Sequence, residues 1–142
     1  MRHVLLSLIL GSIALFSGGC ADNPVSMVGG FARVHITVQG TVLTEEGDAV
    51  SRAVVRIFVF EQGCEGSALT VISGLSPDST GRFQETFWMI SDPSPPAPAC
   101  LRIVATPLTG TGLRAGSINI DNVLLVAESE PPSTIEVDIT LS

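Results

Sequence analysis

Three cysteines, two histidines and one tryptophan are the residues of this 142-residue chain with the most chemistry to offer. Cys20, Cys64 and Cys100 make an odd number of thiols, so in an oxidising compartment one is left over when the other two pair. His35 is the one histidine beyond the extreme amino terminus. A lone imidazole with no Cys, His or carboxylate at ligand spacing does not build a zinc site. No Gly-x-Ser-x-Gly elbow presents a nucleophile to it either. No catalytic residue, cofactor motif or metal site is therefore expected. Glu45, Glu46 and Asp48 form an acidic turn, and Asn119, Asp121 and Asn122 a second polar group. Calcium takes six to eight oxygens, and without an Asp-x-Asp-x-Asp-Gly loop both groups read as solvated surface. A calcium-dependent adhesin is accordingly the weakest functional reading. Trp88 has the size to stack on a sugar ring, although a tryptophan on a strand more often packs into a core.

The elements that must carry these residues begin with a leader. Arg2 precedes an apolar run over 4–16, thirteen residues broken only by small side chains. As a helix that run reaches about 20 Å, too short for the ~30 Å hydrocarbon layer that a spanning helix crosses, so it reads as the core of a secretory signal. Ser17, Gly18 and Gly19 then lead into Cys20 and the turn-forming Ala21-Asp22-Asn23-Pro24. This resembles the lipobox of bacterial lipoproteins, with Ser17 where the usual pattern has Leu. The resemblance implies cleavage after residue 19, a diacylglyceryl group on Cys20 and three acyl chains at the new amino terminus. An ordinary signal cut near Ala21, discarding Cys20, is the competing reading. Two or more acyl chains hold a protein on a bilayer that a single chain would leave. By the same resemblance Ala21, rather than Asp, implies the outer membrane over the inner.

Losing Arg2 with the leader leaves six arginines, no lysine and fourteen acids, a net charge of −8. That balance excludes nucleic acid as a partner. Residues 20–30 read as the lipidated cysteine and a flexible tether, able to span about 30 Å when extended. Residues 31–142 read as one domain.

Within it the apolar period is two. Val34, Ile36 and Val38 alternate with His35, Thr37 and Gln39, which places the first set inward and the second outward; Gly40 then breaks the register as a bulge would. Further strands are predicted over 53–60, 69–75, 82–90, 100–106, 117–127 and 135–141. In the fourth, Phe83, Phe87 and Met89 share one face, and Trp88 and Ile90 the other. Four prolines within 91–99 demand an irregular loop. Seven short strands predict an all-β, antiparallel Greek-key β-sandwich. Following the path down the second strand, up the third and down the fourth brings Cys64 and Cys100 to the same end, which predicts a disulfide between them rather than two buried thiols. Closing that 37-residue loop restricts the unfolded chain by about 3.8 kcal/mol.

The motifs Val38-Gln39-Gly40-Thr41-Val42, Glu46-Gly47-Asp48, Ala53-Val54-Val55 and Asp78-Ser79-Thr80-Gly81-Arg82-Phe83 resemble the carboxypeptidase regulatory-like domains, a transthyretin-like group. The likeness covers roughly 33–87 and implies a non-catalytic module. Transthyretin-like hydrolases rely on histidines and a tyrosine-bearing tail, and intradiol dioxygenases on Tyr and His ligands. This chain has no tyrosine, so neither activity is implied. The expected function is a membrane-anchored, exported lipoprotein serving as a structural or protein-docking module of the cell envelope, held at the membrane through Cys20. A carbohydrate-binding module that uses Trp88 is the alternative, and deep burial of that indole would remove it.

Overall fold

The computed structural model describes residues 32–61, 63–91 and 98–142. The leader, Cys20, the tether and most of the proline-rich loop lie outside the described residues. Eight strands follow one another: β1 (Ala32–Thr44), β2 (Ala53–Phe60), β3 (Thr70–Leu75), β4 (Arg82–Ser91), β5 (Ala99–Pro107), β6 (Gly116–Val123), β7 (Val126–Ala127) and β8 (Ser133–Leu141).

They form two four-stranded sheets. In the first, β1 is central: β4 lies along one edge, and β7 and then β8 share the other. The second has the order β3-β2-β5-β6. Every pairing is antiparallel except β1 with β8, which run in the same direction from Ile36↔Ser133 to Thr44↔Leu141. The described residues are thus all-β, with the inward ones packed between the sheets. Ile36, Val38 and Val42 of β1 meet Val55, Ile57 and Val59 of β2, Leu101 and Ile103 of β5, and Ile139 and Leu141 of β8, all essentially without solvent exposure. Alternation along each strand produces this directly, because successive Cβ atoms point to opposite faces.

Three expectations differ from the structure. Gly40 makes no bulge; β1 runs straight through it, opposite Phe83 and Val137. What the position demands is close approach, since a Cβ there would collide with the Val137 backbone. Thr37 points outward in the sequence reading but is only 5% exposed, and its hydroxyl shares a 2.7 Å hydrogen bond with that of Thr86, its partner in register. Pairing the two hydroxyls satisfies polar groups that burial would otherwise penalise. Finally, the single strand expected over 117–127 is two, which raises the number from seven to eight. Asn122 adopts φ 58°, a left-handed conformation that asparagine tolerates better than most residues, where β6 shifts register against β5; past Val123, still opposite Ala99, the chain leaves the second sheet to join the first as β7.

Register also sorts the loops into two ends. Ala32 lies opposite Ser91, and Phe60 opposite Cys100, so the entry of the chain, the β2–β3 loop and the β4–β5 connection share one end. The β1–β2 turn, the β3–β4 turn and the β5–β6 loop share the other, where Thr41 lies opposite Arg82 and Ala53 opposite Pro107.

Candidate functional site

Three regions carry the polar and reactive side chains. At the entry end, Cys64 and Cys100 form the disulfide, with Cα atoms 5.3 Å apart. Val55, Ile57 and Val59 face inward, so Phe58 and Phe60 face outward on the second sheet, and the bridged loop folds over them. Phe60, Cys64 and Cys100 form a second small core, with Phe58 and Ala68 packed against it. Arg102 clamps this loop: its guanidinium sits 5.3 Å from the Phe60 ring centre and donates to the Cys64 carbonyl, while its Nε donates to Asn119 Oδ1 at 3.1 Å. A carboxylate oxygen of exposed Asp121 lies within 4.8 Å of both sulfurs. Two thiolates and that carboxylate would suit a thiophilic cation, but the sulfurs are bonded to each other and have no free thiolate to give.

The second region is the Trp88 face. Against the reading that favoured packing, Trp88 stands 55% exposed on the outer face of the first sheet, opposite His35. Its exposure follows from parity: Phe87 and Met89 take the inward positions, so the indole must take the outward one. The Arg33 guanidinium lies 4.0 Å from the ring centre and reaches both oxygens of the Glu128 carboxylate at 3.4 Å. His35 donates from Nε2 to the Glu130 carbonyl at 2.6 Å, so the imidazole serves to hold the loop before β8.

The third region was not anticipated. Near the opposite end, the outer face of the first sheet holds an open cleft of about 630 Å³ whose polar lining includes Gln39, Asp78, Arg82, Gln84, Glu136 and Asp138. Gln39 Nε2 donates to Glu136 Oε1 at 2.7 Å, one strand across. Asp78 organises the turn beside it. Its Oδ1 accepts from the Thr80 hydroxyl at 2.7 Å and from the amides of Thr80 and Arg82 at 2.8 and 3.0 Å. These bonds, the Thr80 hydroxyl foremost and then the Arg82 and Thr80 amides, hold its carboxyl below the usual carboxylate range. Outward parity on three strands could have marked Gln84, Gln39 and Glu136 as surface residues. Only the sheet order, β4-β1-β8, makes them neighbours.

The cleft offers carboxylates, amides and a guanidinium to a polar ligand. The four sequence-derived site residues are thus placed as follows: Cys64 and Cys100 come together, Trp88 lies on the opposite sheet at the same end, and Cys20 lies outside the described residues.

No protein-family model and no curated protein matches the chain. Among solved structures it is similar to chlorocatechol 1,2-dioxygenase from Pseudomonas putida, with 13% identity, a TM-score of 0.47 and coverage of 77% of this chain and 60% of that one. It is also similar to 3-chlorocatechol 1,2-dioxygenase from Rhodococcus opacus 1CP, with 13% identity, a TM-score of 0.44 and coverage of 81% and 62%. The chain spans about three-fifths of the length of either structure. Likeness at this level assigns no function.

Proposed function

We propose that this chain is an exported lipoprotein of the cell envelope, acylated on Cys20, whose transthyretin-like Greek-key sandwich is a non-catalytic docking module. The observation that carries the reading is the Cys64–Cys100 bridge. Of three cysteines it uses two, and the one left over is the residue that follows a short apolar leader. A stable disulfide also suits an oxidising compartment. The turn built by Asp78 and Gly81, with Phe83 returning to the core, supports the likeness to carboxypeptidase regulatory-like domains. The polar cleft at the far end is the surface offered to an envelope protein, and the outer membrane is the proposed location.

Mass spectrometry of the chain extracted from membranes tests this. The expected species begins at Cys20, carries the mass of its acyl chains and contains one internal disulfide. Recovery from a soluble fraction with residues 1–19 still attached overturns it.

A second reading, glycan binding, is favoured by one observation, the exposure of Trp88. Since this is the only tryptophan and the chain has no tyrosine, its fluorescence reports directly on ligand stacking. Oligosaccharide that quenches or shifts the emission saturably supports the second reading; an unchanged spectrum removes it.

A further inference from the structure

Six large apolar side chains stand exposed among the described residues: Leu69, Val71, Trp88, Ile90, Leu108 and Leu124. Five of them lie towards one end of the sandwich, shared between the two sheets. Trp88 and Ile90 lie opposite His35 and Arg33, near the start of β1. The Leu69 amide bonds to the Val59 carbonyl, and Val71 lies opposite Phe58, near the end of β2. Leu124 follows Val123, which lies opposite Ala99 at the start of β5. Only Leu108, just past β5, belongs to the other end.

The end that gathers them is the one at which the chain enters, with Ala32 opposite Ser91. Cys20 is twelve residues upstream of Ala32. Exposed apolar side chains concentrated towards one pole of the domain mark an interaction surface. Their chemistry selects the partner. An indole with a guanidinium over its ring and an exposed isoleucine two residues on along the same strand suits the headgroup layer of a bilayer, where amphipathic rings stay at the interface and aliphatic side chains reach the acyl boundary. Charge narrows the choice. Glu61, Glu65, Asp121, Glu128 and Glu130 outnumber Arg33 and Arg102 around this pole, which disfavours anionic headgroups.

We infer that the bridged end of the sandwich is a lipid-facing pole that rests on a zwitterionic bilayer surface, turning the cleft and the opposite turns away from the membrane. This rests on the reading that Cys20 is acylated. An anchor makes the second contact intramolecular, so a small apolar pole suffices where it would not hold a free protein.

The test uses the full mature chain, purified from membranes and reconstituted in vesicles of phosphatidylcholine and phosphatidylethanolamine, with Trp88 as the reporter. Acrylamide should quench Trp88 about threefold less than in an Ile90→Glu/Leu124→Glu variant on the same vesicles, and brominated acyl chains should quench the parent alone. Both substitutions are at exposed sites and leave the core untouched. Equal acrylamide quenching of parent and variant, with no effect of brominated lipid, overturns the inference. So does shielding of Trp88 in detergent-free solution before lipid is added, which would make the chain's own segment the occupant, or protection by oligosaccharide on the vesicle surface. The mass at Cys20 is read separately. An acylated chain whose Trp88 stays in water defeats the lipid-facing pole and spares the anchor; an unacylated chain whose Trp88 is quenched by brominated lipid does the reverse.

Discussion

At the entry end, a loop of nine residues between β2 and β3 is pinned by a covalent bond from Cys64 to Cys100, by the Arg102 clamp and by the small core around Phe60. At the opposite end, the turn between β3 and β4 is held by hydrogen bonds and the burial of Pro77 and Gly81, with no covalent cross-link. Asp78 accepts from Thr80 and Arg82, its own amide donates to the Arg82 carbonyl, and Gly81 donates back to the Asp78 carbonyl. The difference follows from the backbone. A tight turn can satisfy its own amides within a few residues, whereas the longer loop, with Gly63 and Gly66 both at positive φ, relies on a cross-link and on side chains to stay over the sheet.

Removing the covalent clasp should therefore have the largest effect. A Cys64→Ala/Cys100→Ala variant is expected to lose about 4 kcal/mol in denaturant unfolding, with hydrogen exchange rising first in 61–69. A loss below about 1 kcal/mol would mean that Arg102 and Phe60 hold the loop without the bridge.

The opposite end is broken most directly at Gly81, which has φ 75° and whose added Cβ would lie 2.6 Å from the Val42 carbonyl oxygen. Gly81→Ala is expected to cost about 2–3 kcal/mol by thermal unfolding, and the Cys64–Cys100 bridge should remain formed by mass.

Acid separates the two ends further. The Asp78 carboxyl titrates below its unfolded value of about 3.9, so its contribution to stability is complete above that pH and is lost as the pH falls through the folded value. The melting temperature of the parent should fall between pH 4 and pH 2 more steeply than that of Asp78→Asn, whose turn carries no titrating group. Parallel curves would show that the bonds from Thr80 and Arg82 do not favour the ionised form.

The smallest effect is expected at Asp121. Its carboxylate repels an incoming thiolate from the nearby sulfurs, so Asp121→Asn should speed reduction of the bridge by dithiothreitol about two- to threefold at low salt, and less at high salt. Identical rates would assign protection of the bridge to burial alone.

Much of this arrangement is legible in the residue order. Alternation over 34–38 and 83–89 assigns the inward faces, and the down-up-down path through β2, β3 and β4 brings the cysteines together. Sheet membership is harder to read. Val123, Leu124, Leu125 and Val126 are apolar on both faces, so periodicity passes over the crossing between Val123 and Val126 without a mark. The parallel pairing of β1 with β8 leaves no local trace either, because a period of two is the same whichever way the neighbour runs. The cleft stayed hidden for the same reason: its residues come from three separate stretches, 39–41, 78–84 and 136–138, that become adjacent only through the order of the strands.

The union of the first and the eighth strand also governs when this molecule can take shape. Ile36 waits for Ser133, and Thr44 for Leu141, so the central strand keeps an open edge until almost the whole domain has been supplied. A polypeptide delivered head first, from a ribosome or through a translocation pore, therefore spends most of its delivery with its hydrophobic midline unsealed. Completion is a late, long-range event of the kind that slows folding and invites rescue by chaperones.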